Sequence, residues 1–137
     1  MLLVAVALPG CGSSDDTKTT PQLQPVKAAQ GAVLDTIDAL QTASRHGDGR
    51  RICNRIFTDN LARSIAASAN RKCDVEVRKR LFTPDESIAV QQGIVVNGNT
   101  ATAVIREQNG NVSTLHLLNL QGRWQIDRVV AQKPAQK

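Results

Sequence analysis

Three glycines spaced twelve residues apart constrain how the C-terminal half of this chain can fold. They are Gly98, Gly110 and Gly122, and the first two follow an asparagine. An Asn-Gly pair between β-branched or aliphatic runs is typical of a tight hairpin turn, because both residues tolerate a positive φ. The runs around these turns are SIAVQQGIVV, TATAVIRE, VSTLHLLNL and RWQIDRVVA. The spacing therefore predicts four strands in an antiparallel meander.

The N-terminal half has the period of helices instead. Apolar residues recur at helical spacing at Val33, Ile37 and Leu40, and they predict an amphipathic helix. Gly47, which follows two basic residues, is typical of a left-handed C-cap that ends this helix. Two short helices are expected next. Asp48 can cap the first, which carries Ile52, Cys53, Ile56 and Phe57 on adjacent turns. Thr58 or Asp59 can cap the second, which carries Leu61, Ile65 and Ala69. Helices followed by an antiparallel sheet predict an α+β architecture.

Several segments, in this order, resemble the nuclear transport factor two-like superfamily. They are VLDTIDALQTASRHGDGRRICNRIF, a cysteine after a short third helix, VNGNTATAVI and LQGRWQIDRV, with Gly47-Asp48 and the stretch from Gly122 to Ile126 as the most specific parts. The resemblance covers residues 26–131. It implies a cone-shaped, cystatin-like fold in which N-terminal helices pack in the concave face of a curved antiparallel sheet. Both specific parts are structural, so the resemblance predicts the fold and leaves the activity open.

The opening stretch MLLVAVALPGC is typical of an export signal. Residues 2–8 form an unbroken apolar run that is too short to span a bilayer. The run ends in Leu8-Pro9-Gly10-Cys11, which resembles a bacterial lipobox and implies that the Cys11 thiol receives a diacylglyceryl group and becomes the new N-terminus. Two acyl chains suffice for stable attachment to a membrane. The alternative is an ordinary cleaved signal with a coincidental cysteine.

These features predict four segments and a cellular location. We expect a signal peptide at 1–10, a lipidated cysteine and disordered tether at 11–25, a folded domain at 26–131 and a disordered tail at 132–137. The tether is rich in Ser, Thr, Pro and Gln, a composition that does not support a packed core. No Lys or Arg precedes the apolar run, so a basic region is expected upstream of it. The expected location is the extracytoplasmic face of a bacterial cell membrane.

Cys53 and Cys73 remain as a pair once Cys11 is acylated. Outside the cytoplasm such a pair usually closes as a disulfide, and we expect one here. The alternatives are a metal site, for which only His46 lies near in sequence, and a nucleophilic Cys73 activated by the neighbouring Lys72. The shortage of further ligands favours the disulfide, and the sequence predicts neither a metal nor a cofactor.

Positive charge is concentrated between Arg45 and Arg80. This segment holds ten Lys or Arg and four Asp or Glu and carries +6, whereas the whole chain carries +5. Two Phe and one Trp are the only aromatic residues, so stacking platforms for bases are scarce and no nucleic acid is expected. A basic face near a membrane attracts anionic lipid or a polyanionic wall polymer. The alternative is a solvated surface that only aids solubility.

No catalytic constellation is evident. Enzymes of the resembled superfamily use one of three arrangements: an aspartate base with a tyrosine, an arginine between carboxylates, or a histidine with an aspartate. This chain contains no tyrosine, so the first arrangement is excluded. The remaining candidates are His116, Arg106 and Asp127. His116 alternates with two leucines along its strand, and if it lines the cone its imidazole is suited to proton transfer. Asp127 next to Arg128 is more typical of a surface charge pair.

The sequence therefore favours a non-catalytic binding or scaffolding domain, lipid-anchored at the cell envelope, that receives a small ligand or a protein. Two alternatives remain open. One is a small hydrolase or isomerase that uses His116 in the cone cavity. The other is a homodimeric structural module whose sheet faces pair.

Overall fold

The computed structural model describes residues 23–81 and 87–133 of the chain. Its helices are α1 (Leu23–Arg45), α2 (Gly49–Arg51), the π-helix π1 (Ile52–Ile56), α3 (Asp59–Ala69), α4 (Cys73–Glu76) and a second π-helix, π2 (Val77–Leu81). Its strands are β1 (Ile88–Val90), β2 (Val95–Asn97), β3 (Thr100–Glu107), β4 (Val112–Leu120) and β5 (Arg123–Ala131). The expected signal peptide, Cys11 and most of the expected tether lie outside the described residues, and α1 begins at Leu23, three residues before the expected domain start.

The first helix forms and ends as its sequence pattern predicts. Val33, Ile37 and Leu40 are buried on one face of α1. The helix ends at Arg45, and the chain turns away at Gly47, whose φ of 64° is the left-handed conformation that glycine adopts without a Cβ penalty. Asp48 then caps α2, because its Oδ1 accepts a hydrogen bond from the backbone N–H of Arg51 at 3.0 Å. This reversal brings π1 back against α1.

The sheet is antiparallel, with the strand order β1-β3-β4-β5 and with β2 paired to the other end of β3. The glycine turns are confirmed, because Gly98, Gly110 and Gly122 all have positive φ. The prediction of four strands was wrong, because SIAVQQGIVV forms two short strands. Val90 faces Ile105 while Val95 faces Thr102, so residues 91–94 lie opposite only two residues of β3. The polar stretch of two glutamines and a glycine supplies no alternating apolar side chains for that gap.

Helices cover one face of this curved sheet, so the predicted α+β architecture is confirmed. Side chains that alternate along the strands point into a single core with those of α1 and π1. The buried strand residues are Ile88, Ala101, Ala103, Ile105, Ser113, Leu115, Leu117, Trp124 and Ile126. No helix within residues 23–81 or 87–133 has both the length and the apolar character needed to cross a bilayer.

The helical half is joined to β5 at a bulge. Phe57 forms a parallel bridge with Ile126, and the Thr58 N–H donates to the Ile126 carbonyl oxygen at 2.9 Å. The buried Thr58 hydroxyl accepts from the N–H of Leu61 at 3.1 Å, which caps α3, and donates to Oδ1 of Asp127 at 2.8 Å. Asp127 is the extra residue where the β4–β5 register shifts. One hydroxyl therefore fixes both the start of α3 and the bulge.

The predicted disulfide between Cys53 and Cys73 is present in the structure. It joins π1 to the first residue of α4, with an S–S distance of 2.04 Å and a Cα–Cα distance of 6.2 Å. Gly49 lies under the same junction, and a Cβ at this position would overlap the backbone carbonyl of Asp74. The backbones of the α2–π1 segment and of α4 are therefore in direct contact at this point.

Candidate functional site

An open cleft lies between α1, the α2–π1 segment and the turn that begins β5. Its volume is about 320 Å³, at the lower end of the range typical of small-molecule sites. The residues that line it, called here the arginine cleft, are Ala32, Asp35, Thr36, Ala39, Arg51, Arg55, Ile56, Gly122, Arg123 and Trp124.

The apolar wall of the cleft is firmly held. Ile56 and Trp124 contribute side chains that are only 4% and 7% exposed. The Thr36 hydroxyl lies 3.1 Å from the carbonyl oxygens of both Trp124 and Ala32, so it can donate to β5 and anchor α1 there. The Gln125 amide donates to the carbonyl oxygens of Arg55 and Phe57, each at 3.1 Å. These bonds fix all three walls relative to one another.

Three guanidinium groups line this cleft, and each comes from a different element. Arg51 ends α2, Arg55 belongs to π1 and Arg123 begins β5. Asp35 of α1 is the one carboxylate in the lining, so the cleft carries a formal charge of +2. All four side chains are exposed. Within the described part of the chain none of the three guanidinium groups forms a hydrogen bond or an ion pair with another protein group.

The π-helix contributes to the placement of the arginines. Its wide turn is closed by the Phe57 N–H, which donates to the Ile52 carbonyl oxygen five residues earlier at 2.8 Å. The turn buries Ile52, Cys53 and Ile56 and leaves Arg55 exposed above them. Such single π turns are uncommon and are found frequently at functional sites.

Two further hollows adjoin the cleft along the α2–π1 segment. One, of about 410 Å³, is lined by Asp48, Arg50, Arg51, Asn54 and Arg55. The other, of about 350 Å³, is lined by Arg50, Cys53, Asn54, Lys72, Cys73 and Asp74. Both belong to the basic segment that the sequence singled out.

The structure places His116 away from the cleft. Its neighbours Leu115 and Leu117 are buried against the helices, and successive side chains of a strand point to opposite faces. The imidazole therefore lies on the outer face of the sheet, half-exposed, with Thr102 and Arg128 opposite it on the adjacent strands. The interpretation of His116 as a residue of the cone cavity was wrong, because the leucines take the inward positions.

The two other catalytic candidates are also separate from the cleft. Arg106 is exposed near the end of β3, where its Nε donates to Oε1 of Gln91 at 3.0 Å. Asp127 accepts its hydrogen bond from Thr58 at the bulge, so it serves the fold rather than a surface pair with Arg128. The structure brings none of the three candidates together.

Sequence reasoning identified only part of the cleft. Arg51 and Arg55 fall in the predicted basic segment, but Arg123 and Asp35 were not singled out. Arg123 is 68 residues from Arg55, and only the packing of the β4–β5 turn against π1 brings them to one cleft. No group of three His, Cys, Asp or Glu side chains within the two described ranges could hold a metal ion.

Helices packed against a curved five-stranded antiparallel sheet give this domain a nuclear transport factor two-like fold. A solved structure with the same fold is that of an NTF2-like protein of unknown function from Shewanella baltica OS155. It superposes with a TM-score of 0.54 at 15% identity and covers 77% of this chain and 94% of its own. At that identity the likeness establishes the fold. No protein-family model and no curated protein sequence matches the chain.

Proposed function

We propose that this chain is a lipid-anchored envelope protein whose NTF2-like domain binds an anionic ligand in the arginine cleft without transforming it. The anchor is a diacylglyceryl group on Cys11, and the domain faces the extracytoplasmic side of a bacterial membrane. The convergence of Arg51, Arg55 and Arg123 on one cleft is the observation that carries the binding function.

The chemistry of the cleft favours a ligand with a doubly charged group next to an apolar body. Guanidinium groups donate pairs of parallel N–H bonds that match phosphate and carboxylate oxygens. Each such charge-assisted bond contributes about 1.5 kcal/mol or more, and association costs consume a large part of the sum. The side chains of Ile56 and Trp124 offer the apolar contact. A dissociation constant on the order of 10–100 μM is expected for a small phosphate ester.

The composition of the lining supports binding rather than catalysis. General acid–base catalysis needs a positioned proton donor and acceptor. Arginine stays protonated in proteins, and Asp35 is the only carboxylate among the lining residues, which include no His, Cys, Lys or Tyr. The cleft can therefore hold and orient an anion, but its lining offers no pair of groups that exchange protons.

Two observations support the location. The lipobox-like Leu8-Pro9-Gly10-Cys11 supplies the thiol for acylation, and the Cys53–Cys73 disulfide suits an oxidising compartment. Mass spectrometry of the protein extracted from its host membranes tests this part of the proposal. A diacylglyceryl group on Cys11, and release from the membrane in a Cys11→Ser variant, are expected. A soluble wild-type chain with free thiols would contradict it.

Binding is tested by calorimetric titration with phenyl phosphate, with benzyl alcohol as the neutral analogue. Arg123→Gln should weaken the affinity about tenfold, which corresponds to about 1.4 kcal/mol. Arg128→Gln is the matched control, because Arg128 is equally an exposed arginine of β5 but lies opposite His116 and outside the cleft. Equal affinities for the two variants, or equal binding of the neutral analogue, would contradict the proposed site.

A further inference from the structure

The arginine cleft is the first of three adjoining hollows lined by basic side chains. It shares Arg51 and Arg55 with the hollow beside it, and that hollow shares Arg50 and Asn54 with the third. Because neighbouring hollows share side chains, the three adjoin one another in a row that runs from Arg123 to Lys72. We call this row of hollows the basic furrow.

The α2–π1 segment forms the spine of the furrow. From Arg50 to Arg55 it advances about 8 Å at roughly 1.5 Å per residue, which is longer than one phosphate group. The disulfide adds a further cation to the furrow. It holds the Cα of Cys73 6.2 Å from that of Cys53, so the preceding residue, Lys72, lines the same hollow as Arg50. The furrow is thus assembled from three parts of the chain and held by a covalent bond.

Two acidic residues of the furrow interact with other protein groups, whereas its cations have no hydrogen-bond or ion-pair partner among the described residues. Asp48 accepts the N–H of Arg51, and Asp74 pairs with Arg78 at 3.7 Å. The side chains of Arg50 and Lys72 form no hydrogen bond or ion pair with any described residue. Five cationic side chains therefore follow one another along the furrow and face solvent.

We propose that the basic furrow binds an extended polyanion, a linear polymer of repeated phosphate groups, along its length. No single hollow contains all five cations, so one small anion leaves Arg50 and Lys72 unused when it occupies the arginine cleft. A flexible chain of phosphates can contact the hollows in succession and releases a counterion at each cation. This inference rests on the proposed function and names the ligand class of the same site.

The test measures how affinity depends on the length of the polymer and on salt. The full chain with Cys11→Ser, which cannot be acylated, is titrated with inorganic phosphate, tripolyphosphate and long-chain polyphosphate. Affinity should rise in that order. If all five cations take part, log K for the long chain should fall with log salt at a slope of about −3.5 to −4.5, whereas three cations give about −2.1 to −2.7.

Two variants separate the furrow from the cleft. Arg50→Gln and Lys72→Gln lie outside the arginine cleft, so each should reduce the slope by about 0.7–0.9 and the long-chain affinity about sixfold at 0.1 M salt. Their affinity for phenyl phosphate should not change, which also shows that they are folded. Arg63→Gln is the control, because Arg63 is an exposed cation of α3 that lines none of the three hollows. It should behave as the parent chain.

The outcomes distinguish the inference from the proposed function. If affinity does not depend on polymer length and both variants match the parent, the furrow is refuted and the cleft remains. If neither phenyl phosphate nor any polymer binds, both proposals fail. Binding to phosphatidylglycerol vesicles without binding to polyphosphate overturns the furrow in favour of a membrane surface. Poly(glycerol phosphate) from a bacterial wall is titrated in a further arm, and whichever polymer binds more tightly identifies the source.

Discussion

Opening the Cys53–Cys73 disulfide should lower the free energy of unfolding by about 3 kcal/mol. The bond joins residues separated by 20 positions. In the chain-entropy model a loop of that length removes about 11 cal/mol/K from the unfolded chain, which is about 3.3 kcal/mol at 25 °C. The loop contains all of α3 and the residue that caps it, so a large part of the helical half is restrained in the unfolded state.

The effect can be measured without changing a core residue. Urea unfolding is followed with and without reductant in a Cys11→Ser background, where Cys53 and Cys73 are the only thiols. Thiol alkylation followed by mass spectrometry checks that the reductant has opened the bond. For a domain of this size a loss of 3 kcal/mol should also lower the melting temperature by roughly 10 °C.

The result that refutes this reasoning is specific. If the oxidised and reduced chains differ by less than about 1 kcal/mol while alkylation shows complete reduction, the bond does not restrain the unfolded ensemble as the loop length requires. A reduced chain that loses affinity for long polyphosphate but keeps it for phenyl phosphate would, in addition, connect the disulfide to the Lys72 end of the furrow.

Substitutions at Gly49, Thr58 and Asp35 test the packing of the fold and the charge of the site. Gly49→Ala should destabilise the fold by about 1–3 kcal/mol in urea unfolding, because the new Cβ would overlap the backbone of α4. Gly31→Ala is the control: a Cβ there meets nothing within 4 Å, so this variant should be more stable by about 0.5–1 kcal/mol. Equal effects of the two substitutions would contradict the close contact between Gly49 and α4. Thr58→Val should cost about 1–3 kcal/mol, because it removes both the cap of α3 and the donor to Asp127, whereas Thr58→Ser keeps the hydroxyl and should stay close to wild type. Asp35→Asn should tighten phenyl phosphate binding roughly twofold to fivefold by removing a like charge from an exposed site; weaker binding in the titration would mean that the carboxylate contacts the ligand directly.

The parts of the fold that depend on neighbouring residues were predictable from the sequence. Gly98 and Gly110 follow asparagine and mark turns because only a few residue types adopt a positive φ at low cost. Asp48 and Thr58 cap helices because their side chains reach an N–H three residues ahead. Each of these turns and caps depends on residues no more than three positions apart, so the local sequence is enough to predict it.

The features that the sequence did not reveal depend on distant partners. The division of the first predicted strand into β1 and β2 follows from how both ends pair with β3. Asp127 looked like a surface charge because neither the bulge nor Thr58, 69 residues away, is visible in its neighbourhood. Arg123 joins Arg55 in the cleft for the same reason. The site is a product of tertiary packing, and the run of basic residues indicated only one of its walls.

The bridge between Phe57 and Ile126 also determines when this domain can finish folding. Synthesis proceeds from the N-terminus, and the bonds that hold π1 and α3 to β5 span 68 to 70 residues. Phe57 is fully buried in the folded structure, so its side chain stays partly uncovered until β5 has left the ribosome. Such long separations slow folding, because the intervening loop must close before its contacts stabilise it. The binding cleft, which needs Arg123 of that same strand, is therefore completed only after β5 has been synthesised, and a chain shortened before β5 has neither a closed core nor a site.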